Sequence, residues 1–165
     1  MSMLEGSLGP AAMRESLRGT LARMPATRIG VVGDMMLDRF HFGITRRVSR
    51  EAPVVVLQHD HTLEVAGGAA NTAVNVRTLG ARVVVFGALG NDSVATALRE
   101  TFAREGIAAA DTHLVEIADW SSTCKVRILG GLHHSTMQQL ARLDYERPLS
   151  AQHATELAEA LAEPL

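Results

Sequence analysis

The stretch Glu64–Gly80, EVAGGAANTAVNVRTLG, decides how this chain is read. Gly67 and Gly68, then Ala69 and Ala70, stand directly before Asn71, and a helical pattern starts there. Small residues in a row build little core. They let a backbone come close to something, and glycine reaches conformations that other residues resist. A helix N-terminus behind them presents unpaired N–H groups. Asn71 adds a side chain that both donates and accepts hydrogen bonds, the mixture a polyhydroxylated ligand requires. The residues alone leave a second reading open, in which the glycines serve only a tight strand-to-helix turn.

Working outward, the segment divides into α/β elements. Pro10–Met24 carries Met13, Leu17, Leu21 and Met24 at helical spacing and reads as a surface helix behind a loose start. TRIGVVGD, residues 27–34, reads as a buried strand. MMLDRFHFGITRRVSREAP, residues 35–53, reads as irregular. PVVVLQ (53–58) and the stretch around Leu63–Val65 read as two strands, with HDH as the turn between them. Ala69–Leu79 is a predicted helix closed by Gly80. RVVVFGALG (82–90) is the next buried strand, and Asn91 or Asp92 caps a helix that ends at Gly106. THLVEI, TCKVRIL and QQLARLDYE are further strands, and Ser150 caps a last helix. Strands that mix polar and apolar residues do not suit a central buried sheet. PVVVLQ, TCKVRIL and QQLARLDYE are therefore expected in a second, partly exposed sheet.

The bulk numbers fit one domain. The chain has 165 residues, 47% hydrophobic and 21% charged, with a formal net charge of −2. That charge gives no nucleic-acid footprint. No run approaches the roughly 20 apolar residues of a membrane span, so no membrane partner is expected. The single cysteine, Cys124, excludes an internal disulfide and reads as a buried structural thiol. With no leader recognised in the first residues, the expectation is a cytoplasmic protein.

Two carboxylates, Asp34 and Asp38, follow the carboxyl end of the first strand, the edge where open α/β sheets bind ligands. In one reading a carboxylate there accepts hydrogen bonds from sugar hydroxyls or holds a metal; in the other, Asp34 caps a turn and Asp38 is solvated. Neither G-x-x-x-x-G-K-[ST] nor a post-strand G-x-G-x-x-G is present. His59 and His61, and the pair His133 and His134, lack further ligands at zinc spacing and read as loop histidines, so no metal site is expected.

The spacing of Ala66, Gly67, Ala69, Asn71, Ala73, Gly80 and Gly90 resembles the first signature of the ribokinase-like (PfkB) carbohydrate kinases. The earlier block, with Gly33, Asp34, Met36, Leu37, Asp38, Arg39, Phe40, Phe42, Gly43, Arg47, Val48, Ser49, Glu51, Ala52, Pro53 and Val54, is similar to the D-glycero-β-D-manno-heptose-7-phosphate kinases. Arg50 departs from that subfamily's usual Pro. The resemblance implies a ribokinase-like α/β fold, of which this chain is the truncated N-terminal part. It divides the chain into a helical extension, residues 1–27, and the N-terminal portion of a kinase domain, residues 28–165. That portion would be a mainly parallel three-layer sheet with a small β-sheet lid. The resemblance also implies ATP-dependent phosphorylation of the anomeric hydroxyl of heptose 7-phosphate, with Mg2+, in ADP-heptose synthesis for lipopolysaccharide, and a homodimer through the lid. Asp34, Asp38, Gly67, Gly68 and Asn71 would bind the sugar, and Arg142, or else Arg46 or Arg47, its phosphate. The family's general base, in a G-A-G-D segment absent from this sequence, would lie beyond Leu165, so no catalytic residue is expected here. The alternatives are another PfkB sugar kinase, ribokinase- or fructokinase-like, and a non-catalytic sugar-binding or dimerisation module.

Overall fold

Nine residues, RVVVFGALG, form the strand around which the fold is organised. In the computed structural model, which describes residues 9–132 and 135–162, this strand is β4 (Arg82–Gly90), and every residue from Val83 to Gly90 is buried. It lies between β1 (Arg28–Val32) and β5 (Thr112–Ile117), parallel to both. Alternate side chains of a strand point to opposite faces. Val83, Val85 and Leu89 join the main core with α2 (Gly68–Thr78) and α3 (Ser93–Arg104), through Ala70, Ala73, Leu98 and Phe102. Ala88 lies on the other face with Ile117 and Trp120, and shares a cavity there with Leu157 of α4 (Ala151–Ala162). Helices on both faces of a parallel sheet make the three layers that the resemblance implies. The first helix, α1 (Pro10–Arg23), buries none of its residues, in keeping with the surface helix read from its spacing.

A second sheet has the order β3-β2-β6-β7. It is built from β2 (Met35–Val48), β3 (Val55–Gly67), β6 (Cys124–Gly131) and β7 (Gln138–Tyr145). PVVVLQ, TCKVRIL and QQLARLDYE fall in it as expected. Two readings need correction. Residues 35–48 are not irregular: they form one long strand. HDH is not a turn, because β3 runs unbroken through His59, Asp60 and His61. The reversal lies between the strands at Ser49–Val54, where Ser49 N–H donates to the Val54 carbonyl at 2.8 Å. These strands were hidden because polar cross-strand pairs hold them. Arg39 bonds Glu64 at 2.6 Å and Arg46 bonds Gln58 at 2.5 Å. His133 and His134 lie outside the described residues.

The helix ends follow local chemistry. Asp92 caps α3 by accepting from Ala95 N–H at 2.9 Å. Ser150 accepts from His153 N–H at 3.2 Å at the start of α4. Gly80 (φ +97°) and Gly106 (φ +75°) end α2 and α3 in the left-handed region.

Asp92 has a second task. Its other carboxylate oxygen accepts from Ser122 N–H at 2.8 Å, and the Ser122 hydroxyl accepts from Gly90 N–H at 2.8 Å. A Cβ on Gly90 would stand 3.0 Å from the Asp92 carboxylate and 3.1 Å from Ser122 N, so the close approach requires glycine. Burial pushes the Asp92 carboxyl up, but hydrogen bonds from Ala95, Ser122 and Val94 outweigh it and hold the group below the usual carboxylate range. Hydrogen bonds from Arg82 do the same for Asp111, whose side chain is 10% exposed, with Nη2–Oδ1 at 2.8 Å.

A carboxyl lowered in the folded state stabilises the fold above its unfolded pKa, roughly 3.9. That stabilisation is lost as pH falls toward the folded value. Asp92→Ala removes a helix cap and leaves Ser122 N–H unpaired. Urea unfolding at pH 7 is expected to show a loss of about 2 kcal/mol. The gap from the wild type should narrow at pH 3; a gap constant with pH contradicts the assignment.

Candidate functional site

Gly67 and Gly68 join β3 to α2 at the carboxyl end of β1, and the chain packs tightly against itself there. A Cβ on Gly67 would lie 2.7 Å from Asp38 Oδ2 and 2.9 Å from Met36 Cγ. A Cβ on Gly68 would lie 2.8 Å from the Asp34 carbonyl oxygen, and Gly68 has φ +53°. Ala69 N–H donates to that same carbonyl at 3.0 Å. The glycines thus bring Asp34, Asp38 and the first turn of α2 together. Asn71 is exposed on that helix and accepts from Asn75 Nδ2 at 3.2 Å. No side chain caps the α2 N-terminus.

Asp38 does not stand alone. Arg127 Nη1 donates to its carboxylate, and the Arg127 guanidinium lies 5.1 Å from the centre of the Phe40 ring. Lys125 is the cross-strand neighbour of both Asp38 and Asp144. Arg142 is the cross-strand neighbour of Arg127 and donates to Asp144 through Nε and Nη2, each at 2.9 Å. Register neighbours share a face of the sheet. Asp38, Lys125, Arg127, Arg142 and Asp144 therefore make one charged band across β2, β6 and β7.

The structure thus gathers Asp34, Asp38, Gly67, Gly68 and Asn71, and connects Arg142 to them through Arg127. It does not gather Arg46 and Arg47. Eight residues at roughly 3.3 Å each set Arg46 about 26 Å from Asp38 along β2. Lys125 and Arg127 escaped the sequence reading. Their signal was the alternation K-V-R in TCKVRIL, which puts both cations on one face. Between them Val126 is 6% exposed and packs in the main core, as does Cys124, whose thiol burial pushes up.

A cavity of about 650 Å³ opens beside Asp34 and Gly33, walled by Trp120, Thr123, Glu146 and Leu149. Asp34 is the sequence-predicted residue that lines it. Among the described residues no group of three His, Cys, Asp or Glu side chains is placed to hold a metal. His59 Nε2 instead meets the Thr62 hydroxyl at 2.9 Å, and His61 Nδ1 meets Asp60 at 2.8 Å. No described helix is long and apolar enough to cross a membrane.

Gly68→Ala meets backbone and a left-handed φ, whereas Gly67→Ala meets side chains that can move. Chemical denaturation is expected to show the larger loss for Gly68→Ala, about 2 kcal/mol or more. Equal losses contradict the geometry.

Comparison with known proteins agrees with this architecture. The chain is 43% identical over 127 residues to bifunctional protein HldE of Aeromonas hydrophila, covering 77% of this chain and 25% of that protein. It is 42% identical over 125 residues to the D-beta-D-heptose 7-phosphate kinase of Bordetella bronchiseptica, covering 76% and 37%. The chain thus spans between 25% and 37% of these curated relatives. The fold is shared with a carbohydrate kinase from Agrobacterium tumefaciens, at TM-score 0.55, 22% identity, 72% of this chain and 35% of that one. It is also shared with Arabidopsis thaliana ribokinase complexed with ribose and ATP, at TM-score 0.53, 19% identity, and 72% and 35% coverage. The pfkB family carbohydrate kinase model matches residues 26–163, and the chain belongs to that family.

Proposed function

We propose that this chain is the sugar-holding portion of a heptose 7-phosphate kinase. In this reading the whole protein transfers the terminal phosphoryl group of ATP to the anomeric hydroxyl of heptose 7-phosphate, in ADP-heptose synthesis for lipopolysaccharide. It works in the cytoplasm as a homodimer formed through the lid sheet. The observation that supports it most is the convergence of Asp34, Asp38, Gly67, Gly68 and Asn71 in a chain 42% identical to a protein named for that substrate.

The residues divide the work on the acceptor side. The Asp34 and Asp38 carboxylates accept from sugar hydroxyls, and the Asn71 amide both donates and accepts. Arg127 orients the Asp38 carboxylate through its hydrogen bond. Arg142 and Lys125 offer positive charge to the 7-phosphate; Arg127 and Asp38 offset each other, so these two cations give the band its surplus over Asp144. The second sheet shields the bound sugar from water. ATP is the donor and Mg2+ its ion. The described residues present no metal-holding cluster, and the sequence has neither familiar phosphate loop. In this reading the nucleotide site lies largely outside this stretch, whose part is acceptor binding.

A thermal melt of this chain with heptose 7-phosphate, ribose and fructose 6-phosphate tests the reading. A ligand that binds only the folded state raises the melting temperature. The expected result is a rise with the heptose phosphate alone, abolished by Asp38→Ala. Arg142→Ala should weaken binding about tenfold, the scale of one charge-assisted contact, and Arg46→Ala should leave it unchanged. A shift with ribose alone overturns the substrate, and no shift with any sugar overturns sugar holding by this chain.

A further inference from the structure

The second sheet is joined to the core by four chain crossings, at residues 33–34, 67–68, 118–123 and 146–150. Three are anchored. Asp34 is fixed by Ala69 N–H, and the two glycines pack against Asp34 and Met36. The third crossing is held through Ser122, bonded to Asp92 and Gly90, and through the Thr123 carbonyl, which accepts from Leu37 N–H at 3.0 Å. The fourth crossing, which leads from β7 to α4, is exposed. Trp120 Nε1–H donates to the Arg147 carbonyl at 3.1 Å. Among the described residues no other hydrogen bond reaches residues 147–149.

We infer that Trp120 is a positioning residue: its indole latches the fourth crossing to the third and so sets the width of the cavity beside Asp34. Three observations carry this. The indole is 8% exposed and packs against Ala88 and Ile117, so its orientation is fixed by the core. Its hydrogen bond ends on backbone, which ties the path of the chain and not one mobile side chain. Glu146, Arg147, Pro148 and Leu149 wall the cavity that Asp34 also lines, and Trp120 is itself a wall. Without the latch, β7, with Arg142 and Asp144, would be attached to the core at its C-terminal end by an untethered strap. The effect on sugar-phosphate affinity rests on the proposed function; the latch itself does not.

Trp120 is the only tryptophan in the chain, so replacing tryptophan throughout changes this position alone. Two variants test the latch: Trp120→Phe, and the chain grown with benzothienylalanine, which keeps the shape of indole and lacks its N–H. The analogue keeps the test open should Trp120→Phe fail to fold. Backbone 15N order parameters at Arg147 and Leu149 are expected to fall in either variant, toward the range of a flexible segment, below about 0.6. Order parameters in β4 should be unchanged. Unaltered order parameters at 147 and 149 overturn the latch. In parallel, heptose 7-phosphate is titrated against wild type and analogue. Affinity about fivefold weaker in the analogue is expected, the scale of one neutral hydrogen bond; equal affinity with lowered order parameters overturns the positioning role. If the wild type does not bind this sugar, the proposed function fails, and the order parameters alone decide the latch.

Discussion

The contact on which the structure depends is between backbones: Gly68 against the Asp34 carbonyl, where the exit from β1 meets the entry to α2. A sheet that leaves a core and returns to it must bring its outgoing and incoming chains side by side. Side chains at that seam would hold them apart. Glycine at two successive positions removes that obstacle, and at Gly68 it also supplies the left-handed φ. The seam lets the base of the second sheet enter the main core. Leu37, Ala66, Cys124 and Val126 share one apolar cluster with Val83, Val85, Leu98 and Phe102. The two sheets are thus a continuous packed body at the base and separate only further out.

The sequence was legible where burial is two-sided or an end is chemically marked. β4 is an apolar run between Gly80 and Asp92, and no helical period fits it. The caps at Asp92 and Ser150 and the stops at Gly80 and Gly106 each have a local signature, and each is realised. β2 was not legible. Its 14 residues include Arg39, His41, Arg46 and Arg47, and no apolar face runs along it. What makes it a strand is β3 on one side and β6 on the other, and cross-strand partners are far away in sequence. The same holds for His59–His61, where a bulge between Phe42 and Gly43 accommodates an extra residue without ending the strand.

The site divides along the same line. Asp34, the glycine pair and Asn71 stand at ends of elements that the sequence marks; Asp38 lies within β2, and its place beside them was implied by the family resemblance and by no local mark. Choosing among the arginines required the sheet. Arg46 and Arg142 are both surface cations in polar strands, and only register shows that Arg142 neighbours Arg127 while Arg46 pairs with Gln58 near the far end. Trp120 had no sequence signal beyond being the only tryptophan. Its role follows from where two connections pass each other, which is a property of the fold.

The second sheet must therefore be unevenly stable. At its base the strands have the packing of a core. Toward its tip they are held by exposed pairs such as Arg46 with Gln58 and His41 with Thr62. Exposed polar pairs contribute little, on the order of 1 kcal/mol or less each. Local opening follows the distribution of buried contacts, so the outer half of the β2–β3 hairpin opens at a lower free energy than the inner half. Asp38 stands one residue beyond Leu37, which is fully buried, and beside the glycine seam. The core still holds β2 at this level. A carboxylate placed there keeps its geometry while the strands beyond it move.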